Sequence, residues 1–178
     1  MKICVFCSAN SNIDPEYFER TRELGKWIAD HGHTLVYGGC NLGLMECVAE
    51  AAHNNGAMTI GVVPRLVEQN GRTSTYINVH VPCEDLSDRK SLMMSQADMF
   101  IALPGGIGTL DEIFTVAAAS TIGYYRKLVI LYDMKGFWQP LIQTLHQLQT
   151  QGFIRGNYLE RIAVAHNLEE LCQLLHQE

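Results

Sequence analysis

An α/β fold with a doubly wound, mostly parallel sheet of about seven strands, covered by helices on both faces, is what this 178-residue sequence predicts. Three observations point to it. Short, continuously apolar runs alternate with segments of helical periodicity along the whole chain. The apolar runs do not alternate polar and apolar, which is how strands buried on both faces read. Glycines and small polar residues gather where each run ends, as they do on the ligand-binding rim of an open parallel sheet. Seven strand-helix units fit an open Rossmann-like sheet, whereas an eight-fold barrel needs a longer chain and one more unit. With no internal repeat, linker or low-complexity segment, residues 1–178 read as one Rossmann-like domain.

The elements follow in order. Lys2–Cys7 (KICVFC) is the first strand. Asp14–Asp30 carries Tyr17, Leu24, Trp27 and Ile28 at helical spacing, with Asp14-Pro15 as start and Gly32 beyond its end. TLVYGG is the second strand, and Leu42–Gly56 a helix. AMTIGVVP is the third strand, closed by Pro64; Leu66–Thr75, with its Asn70-Gly71 turn, is a loop. YINVHV is the fourth strand, Asp85–Gln96 a helix and DMFIALP the fifth strand. Thr109 to about Ile122 is a helix, KLVILYD the sixth strand and Phe137–Gln151 a helix. IAVAH is a short seventh strand, and Glu169–His176 a final amphipathic helix.

Composition removes several function classes. The chain is 47% apolar and 18% charged, with 13 basic against 19 acidic residues and a net charge of -6. That balance argues against a general nucleic-acid or membrane-surface binder. No apolar stretch has the length of a membrane span, and MKICVFCSAN turns polar too early for a signal peptide, so a cytoplasmic location is expected. Cys4 and Cys7 form a C-x-x-C, but residues three apart on a strand point to opposite faces. The other cysteines, Cys40, Cys47, Cys83 and Cys172, are scattered, and the seven histidines form no zinc-ligand spacing, so no metal is expected. His31 and His33 flank Gly32 in a turn.

Two glycine clusters stand at strand-to-helix junctions, GGCNLG after the second strand and PGGIGTLDE after the fifth. A helix N-terminus presents unpaired N–H groups and a partial positive charge, and glycine lets an anion approach them, so both clusters suggest phosphate. Neither ends in the G-K-[ST] of a Walker loop. The segment after the first strand, CSANSN, lacks the G-x-G-x-x-G of a dinucleotide site, and Gly38-Gly39 stand where an acid would hold the ribose. NAD is therefore disfavoured.

Glu112 has two readings. Thr109-x-x-Glu112 fits a capping box, with Thr109 as N-cap and Glu112 reaching back to its N–H. Capping, however, does not call for Gly105, Gly106 and Gly108 before the helix, whereas cradling a phosphate does. A carboxylate repelled by that phosphate would face the reacting part of the substrate.

The segments CVFCSAN, LVYGGCNLGLM, IGVVP, DRK and LPGGIGTLDE together resemble the LOG ("lonely guy") family, with its P-G-G-x-G-T-x-x-E motif; older annotation of the family reads lysine decarboxylase-like. The resemblance covers most of the chain. It implies a Rossmann-like homodimer that hydrolyses nucleoside 5'-monophosphates, AMP-like or cytokinin nucleotides, to free base and ribose 5-phosphate. It implies no cofactor: the old label would require pyridoxal phosphate, and no lysine has a persuasive Schiff-base setting, Lys90 lying beside Arg89 in a polar segment. By the resemblance Arg89 and Glu112 are catalytic. Gly105, Gly106, Gly108 and Thr109 form the phosphate loop, Gly38, Gly39, Gly43 and Met45 a second ligand-lining motif, and Ser8 lies near the nucleoside. Lys90 is counted with the substrate-binding residues. The family pattern is broken at Cys40, Glu46, Ala119, Thr121 and Leu128, changes that would reshape the base pocket. The alternative is a non-catalytic module of Rossmann-like type that senses nucleotides or carries a phosphorylated cofactor. Such a module would need the loop but not the Arg89/Glu112 pair.

Overall fold

The computed structural model describes residues 1–124 and 127–175. It contains one seven-stranded sheet in which every paired neighbour is parallel. The strands are β1 (Lys2–Phe6), β2 (Thr34–Tyr37), β3 (Met58–Pro64), β4 (Val79–Cys83), β5 (Met99–Ala102), β6 (Val129–Tyr132) and β7 (Ile162–Ala165), in the order β4-β3-β2-β1-β5-β6-β7. The helices are α1 (Pro15–Asp30), α2 (Gly43–Asn54), α3 (Arg65–Gln69), α4 (Leu86–Gln96), α5 (Ile107–Thr121), α6 (Gln139–Thr150) and α7 (Leu168–Leu175). The expected end of the last helix, His176, lies outside the described residues.

The sheet divides the core into two layers. Ile3, Val5 and Cys7 of β1 and its extension pack with Leu24 and Ile28 of α1, Leu44 and Val48 of α2, and Leu171 of α7. Cys4 and Phe6 point the other way, to Met93 of α4, Ile113 and Val116 of α5, and Leu145 of α6. The period-two alternation of a strand thus feeds two cores, which explains why β1 reads as an unbroken apolar run. It also separates Cys4 from Cys7, and no disulfide joins any of the six cysteines among the described residues. Side chains cap two helices as their sequences suggest: Asp14 accepts from the N–H of Glu16 (2.9 Å), and Asp85 from Ser87 (2.8 Å) and Asp88 (2.9 Å). In the turn after α1, His31 stacks on Trp27 at 4.5 Å between ring centroids, and His33 meets the same indole edge-on at 5.3 Å. No helix of the described residues is long and apolar enough to cross a membrane.

Three expectations change. The segment Leu66–Thr75 is not all loop, because α3 forms directly after Pro64, whose fixed φ suits a helix start. The fourth strand begins at Val79 rather than Tyr76. Before it, Thr59 replaces the ladder: its hydroxyl donates to the Tyr76 carbonyl, and its N–H donates to Asn78 Oδ1 at 2.9 Å. Finally, α5 begins at Ile107, two residues ahead of Thr109, with Gly106 as its N-cap.

Candidate active site

The strand order reverses between β1, which pairs with β2, and β5, and a crevice opens outside their carboxyl ends. The two strands stay together past the ladder, with Leu103 N–H donating to Phe6 O (2.9 Å) and Ser8 N–H to Pro104 O (3.1 Å). A cavity of about 310 Å³ lies there. The chain after β1 lines it with Cys7, Ser8 and Ala9, α2 with Met45, α4 with Arg89, and α5 with Gly106, Gly108, Thr109 and Glu112. Neither Cys7 nor Ala9 is expected at the site from sequence. Their signal was positional: they follow the strand at the switch point.

The two glycine clusters differ in what their helix ends offer. No side chain caps α5, whose first intrahelical bond runs from Leu110 N–H to Gly106 O (3.0 Å). The N–H groups of Ile107, Gly108 and Thr109 therefore have no partner within the helix, and Gly108 and Thr109 line the cavity. A Cβ at Gly105 would come within 2.1 Å of Thr109 Oγ1, so glycine there lets the threonine fold back. A Cβ at Gly106 or Gly108 would meet no protein atom, so packing does not demand either glycine.

At α2 the equivalent groups are taken. Leu44 and Met45 N–H donate to Ser8 O (2.9 and 3.3 Å), and Gly43 N–H to Ser11 Oγ (3.1 Å). Gly43 lies at φ 60°, where a Cβ would reach 2.5 Å from the Ala9 carbonyl carbon; Gly39 lies at φ 69°, facing Val63 Cγ2 at 2.4 Å. Gly39 and Gly43 thus serve close chain packing, and neither lines the cavity. Gly38 lies against the Arg89 guanidinium. Of this second motif, Met45 alone reaches the cavity.

Glu112 is buried on α5, and it does not cap the helix, because Gly106 is the N-cap. Burial pushes its pKa from the usual 4.5 to about 7, opposed by Arg89 and Lys90 and reinforced by Asp111. It has no hydrogen-bond partner among the described residues.

Arg89 reaches the cavity from a distant strand end. β4 and β5 are not neighbours, since β3, β2 and β1 stand between them. The helix after β4 instead runs back across β3, β2 and β1 to meet α5. The Arg89 Nη2 lies 3.9 Å from Met45 Sδ, and its Nε–H is buried without a partner among the described residues. Lys90, on the same helix, does not line the cavity; it pairs with Asp111 at 2.7 Å, tying α4 to α5.

The positions that depart from the family pattern also lie outside the cavity. Cys40 forms an isolated bridge with Thr73, and Glu46 sits in the first turn of α2 with its pKa raised by burial. Ala119 packs on the core, Leu128 flanks the opposite layer, and Thr121 lines an apolar groove between α5 and α6.

A family model described as "Possible lysine decarboxylase" matches residues 45–175. The chain is 36% identical over 176 residues to a cytokinin riboside 5'-monophosphate phosphoribohydrolase of Arabidopsis thaliana, covering 99% of this chain and 81% of the relative. It is 35% identical to a probable enzyme of the same name from Oryza sativa subsp. japonica, covering 99% and 72%. An X-ray structure of a structural genomics target is similar with a TM-score of 0.76 at 27% identity, covering 99% of each chain. The molybdenum cofactor carrier protein of Chlamydomonas reinhardtii is similar with a TM-score of 0.76 at 23% identity, covering 99% and 96%, a likeness of fold.

The description "Possible lysine decarboxylase" implies pyridoxal phosphate, and the residues do not fit it. Lys2 bonds Gln96, Lys26 pairs with Asp30, Lys90 with Asp111 and Lys135 with Asp14 and Glu16, while Lys127 donates to the carbonyls of Met94 and Ala97. None of these five lysines lines the cavity.

Proposed function

The chain belongs to the LOG family, and from that premise we propose that it is a nucleoside 5'-monophosphate phosphoribohydrolase, hydrolysing AMP-like or cytokinin nucleotides to free base and ribose 5-phosphate. One observation carries the reading: a buried carboxylate, Glu112, shares a mononucleotide-sized cavity with Arg89 and with the uncapped N-terminus of α5.

The 5'-phosphate sits on the N–H groups of Ile107, Gly108 and Thr109, and the helix dipole adds to their attraction. This anchor fixes the sugar over Glu112, converting remote binding energy into orientation at C1'. Cleavage passes through an oxocarbenium-like state. Water oxygen bonds to C1', the C1'–N bond breaks with its electron pair on the base, and the departing base takes a proton from solvent water, while Glu112 returns to solvent the proton it receives from the attacking water. Ionised Glu112 stabilises the sugar cation and takes the water proton, a contribution of ~10²–10⁴ in rate. Arg89 orients the ribose or phosphate through its planar fork. Asp111 is held by Lys90 and does not line the cavity. A carrier or sensor has no use for a buried carboxylate whose pKa burial raises to about 7.

A nucleotide panel tests the proposal. Free base and ribose 5-phosphate should appear in equal amounts from purine 5'-monophosphates, cytokinin nucleotides included, and the preferred base assigns the enzyme to cytokinin activation or to AMP turnover. Binding without any product would favour the carrier reading.

The enzyme is cytoplasmic and works as a homodimer. Ile107, Phe114 and Ile122 on and beside α5 are exposed, and with Tyr124 they supply an apolar face next to the cavity. Light scattering at micromolar concentration should give twice the 19.9 kDa chain mass, and Phe114→Glu should reduce it to a monomer. An active wild-type monomer would contradict the assembly.

A further inference from the structure

We infer that Gly38 is a positioning residue: its missing side chain, together with Met45, forms the slot that seats the Arg89 guanidinium at the cavity. The inference rests on the role proposed for Arg89. It differs from a ligand contact, because Gly38 does not line the cavity.

The glycines after β2 divide by the reason each must be glycine. Gly39 and Gly43 have positive φ, where a side chain is strained whatever the space. Gly38 does not, so its backbone would accept alanine. What alanine would meet is Arg89. A Cβ there would stand 1.5 Å from Nη2, 2.7 Å from Cζ and 2.9 Å from Met45 Sδ. No backbone atom is among these contacts. The long arginine side chain can swing away at small energetic expense, so the fold survives while the guanidinium does not stay. Since among the described residues Nε–H has no hydrogen-bond partner and Nη2 has the distant thioether alone, steric confinement between Gly38 and Met45 holds the head group. Lysine in place of arginine would lack the atoms that fill the slot.

Glu112 gives a readout independent of turnover. The charged and titratable groups that face it are Arg89 and Lys90 on α4, Asp111 on its own helix and the Cys4 and Cys7 thiols of the β1 segment. Of these, alanine at Gly38 displaces only Arg89, whose charge holds Glu112 down.

The experiment combines Gly38→Ala, Arg89→Ala and the double variant. Each is measured for thermal unfolding, for kcat/KM on a nucleoside monophosphate, and for Glu112 titration by carboxyl NMR in the ligand-free protein. Gly38→Ala should fold, lose at least tenfold in kcat/KM, and shift the Glu112 midpoint upward as Arg89→Ala does. In the Arg89→Ala background it should change nothing further. Should Gly38→Ala unfold, a folded double variant still supports the slot, and an unfolded one overturns it. Unchanged activity with an unmoved titration overturns it, as does an equal loss in the Arg89→Ala background. A wild-type protein that hydrolyses no nucleotide would refute the proposed function, while the titration would still decide the slot.

Discussion

Glu112→Gln should lower kcat/KM by at least ~10² and stabilise the protein at neutral and alkaline pH. The two effects have one cause. A carboxylate whose folded pKa is raised from 4.5 to about 7 favours folding in its protonated form. That contribution is fully present below the unfolded value and is lost as pH rises through the folded value. Wild-type stability relative to the Gln variant should therefore fall between pH 4.5 and 7 and then level off, by a difference on the order of 3 kcal/mol. Glutamine keeps the size and removes the charge. Parallel thermal unfolding and initial-rate series check both halves. A variant that melts earlier than wild type at pH 8, yet turns over normally, would assign Glu112 to structure.

Loss of the 5'-phosphate should be as damaging. AMP should exceed adenosine in kcat/KM by at least ~10³, because each charge-assisted hydrogen bond contributes about 1.5–3 kcal/mol and the α5 terminus offers several. Ribose 5-phosphate should inhibit competitively, since it keeps the anchor and the sugar. Comparable turnover of nucleoside and monophosphate would remove the phosphate from the Gly105–Thr109 segment.

The alternation of strand and helix was readable because both faces of the sheet are covered. Val129–Tyr132 and Met99–Ala102 are buried at every position, and such strands leave unbroken apolar runs. Strand order leaves no trace in periodicity, so nothing in the sequence shows that three strands separate β4 from β5 or that Arg89 arrives by the reverse crossing of α4. The start of α5 was misplaced because capping chemistry favours Thr109, whereas the cap is a glycine with no side chain to announce it. The short α3 fell below the length at which helical spacing can be recognised.

Site residues were readable in proportion to how local their reasons are. The α5 loop could be read as a glycine cluster ahead of a helix. GGCNLG looked equivalent, yet its helix N-terminus is closed by Ser8 and Ser11, more than thirty residues earlier in the chain. Gly38 could not be understood from its neighbours, since the atom that requires it belongs to Arg89.

The pH dependence of kcat/KM on AMP, measured for wild type and Glu112→Gln from pH 5 to 9, tests most directly whether Glu112 acts as an ionised carboxylate. A substrate phosphate titrates near pH 6 and contributes the same limb to both proteins. Wild type should show a further rise with its midpoint near 7, matching the carboxylate raised by burial. The Gln variant should lack that rise and keep only residual activity. Two profiles that differ in height or not at all, but share one shape across the range, would contradict the account.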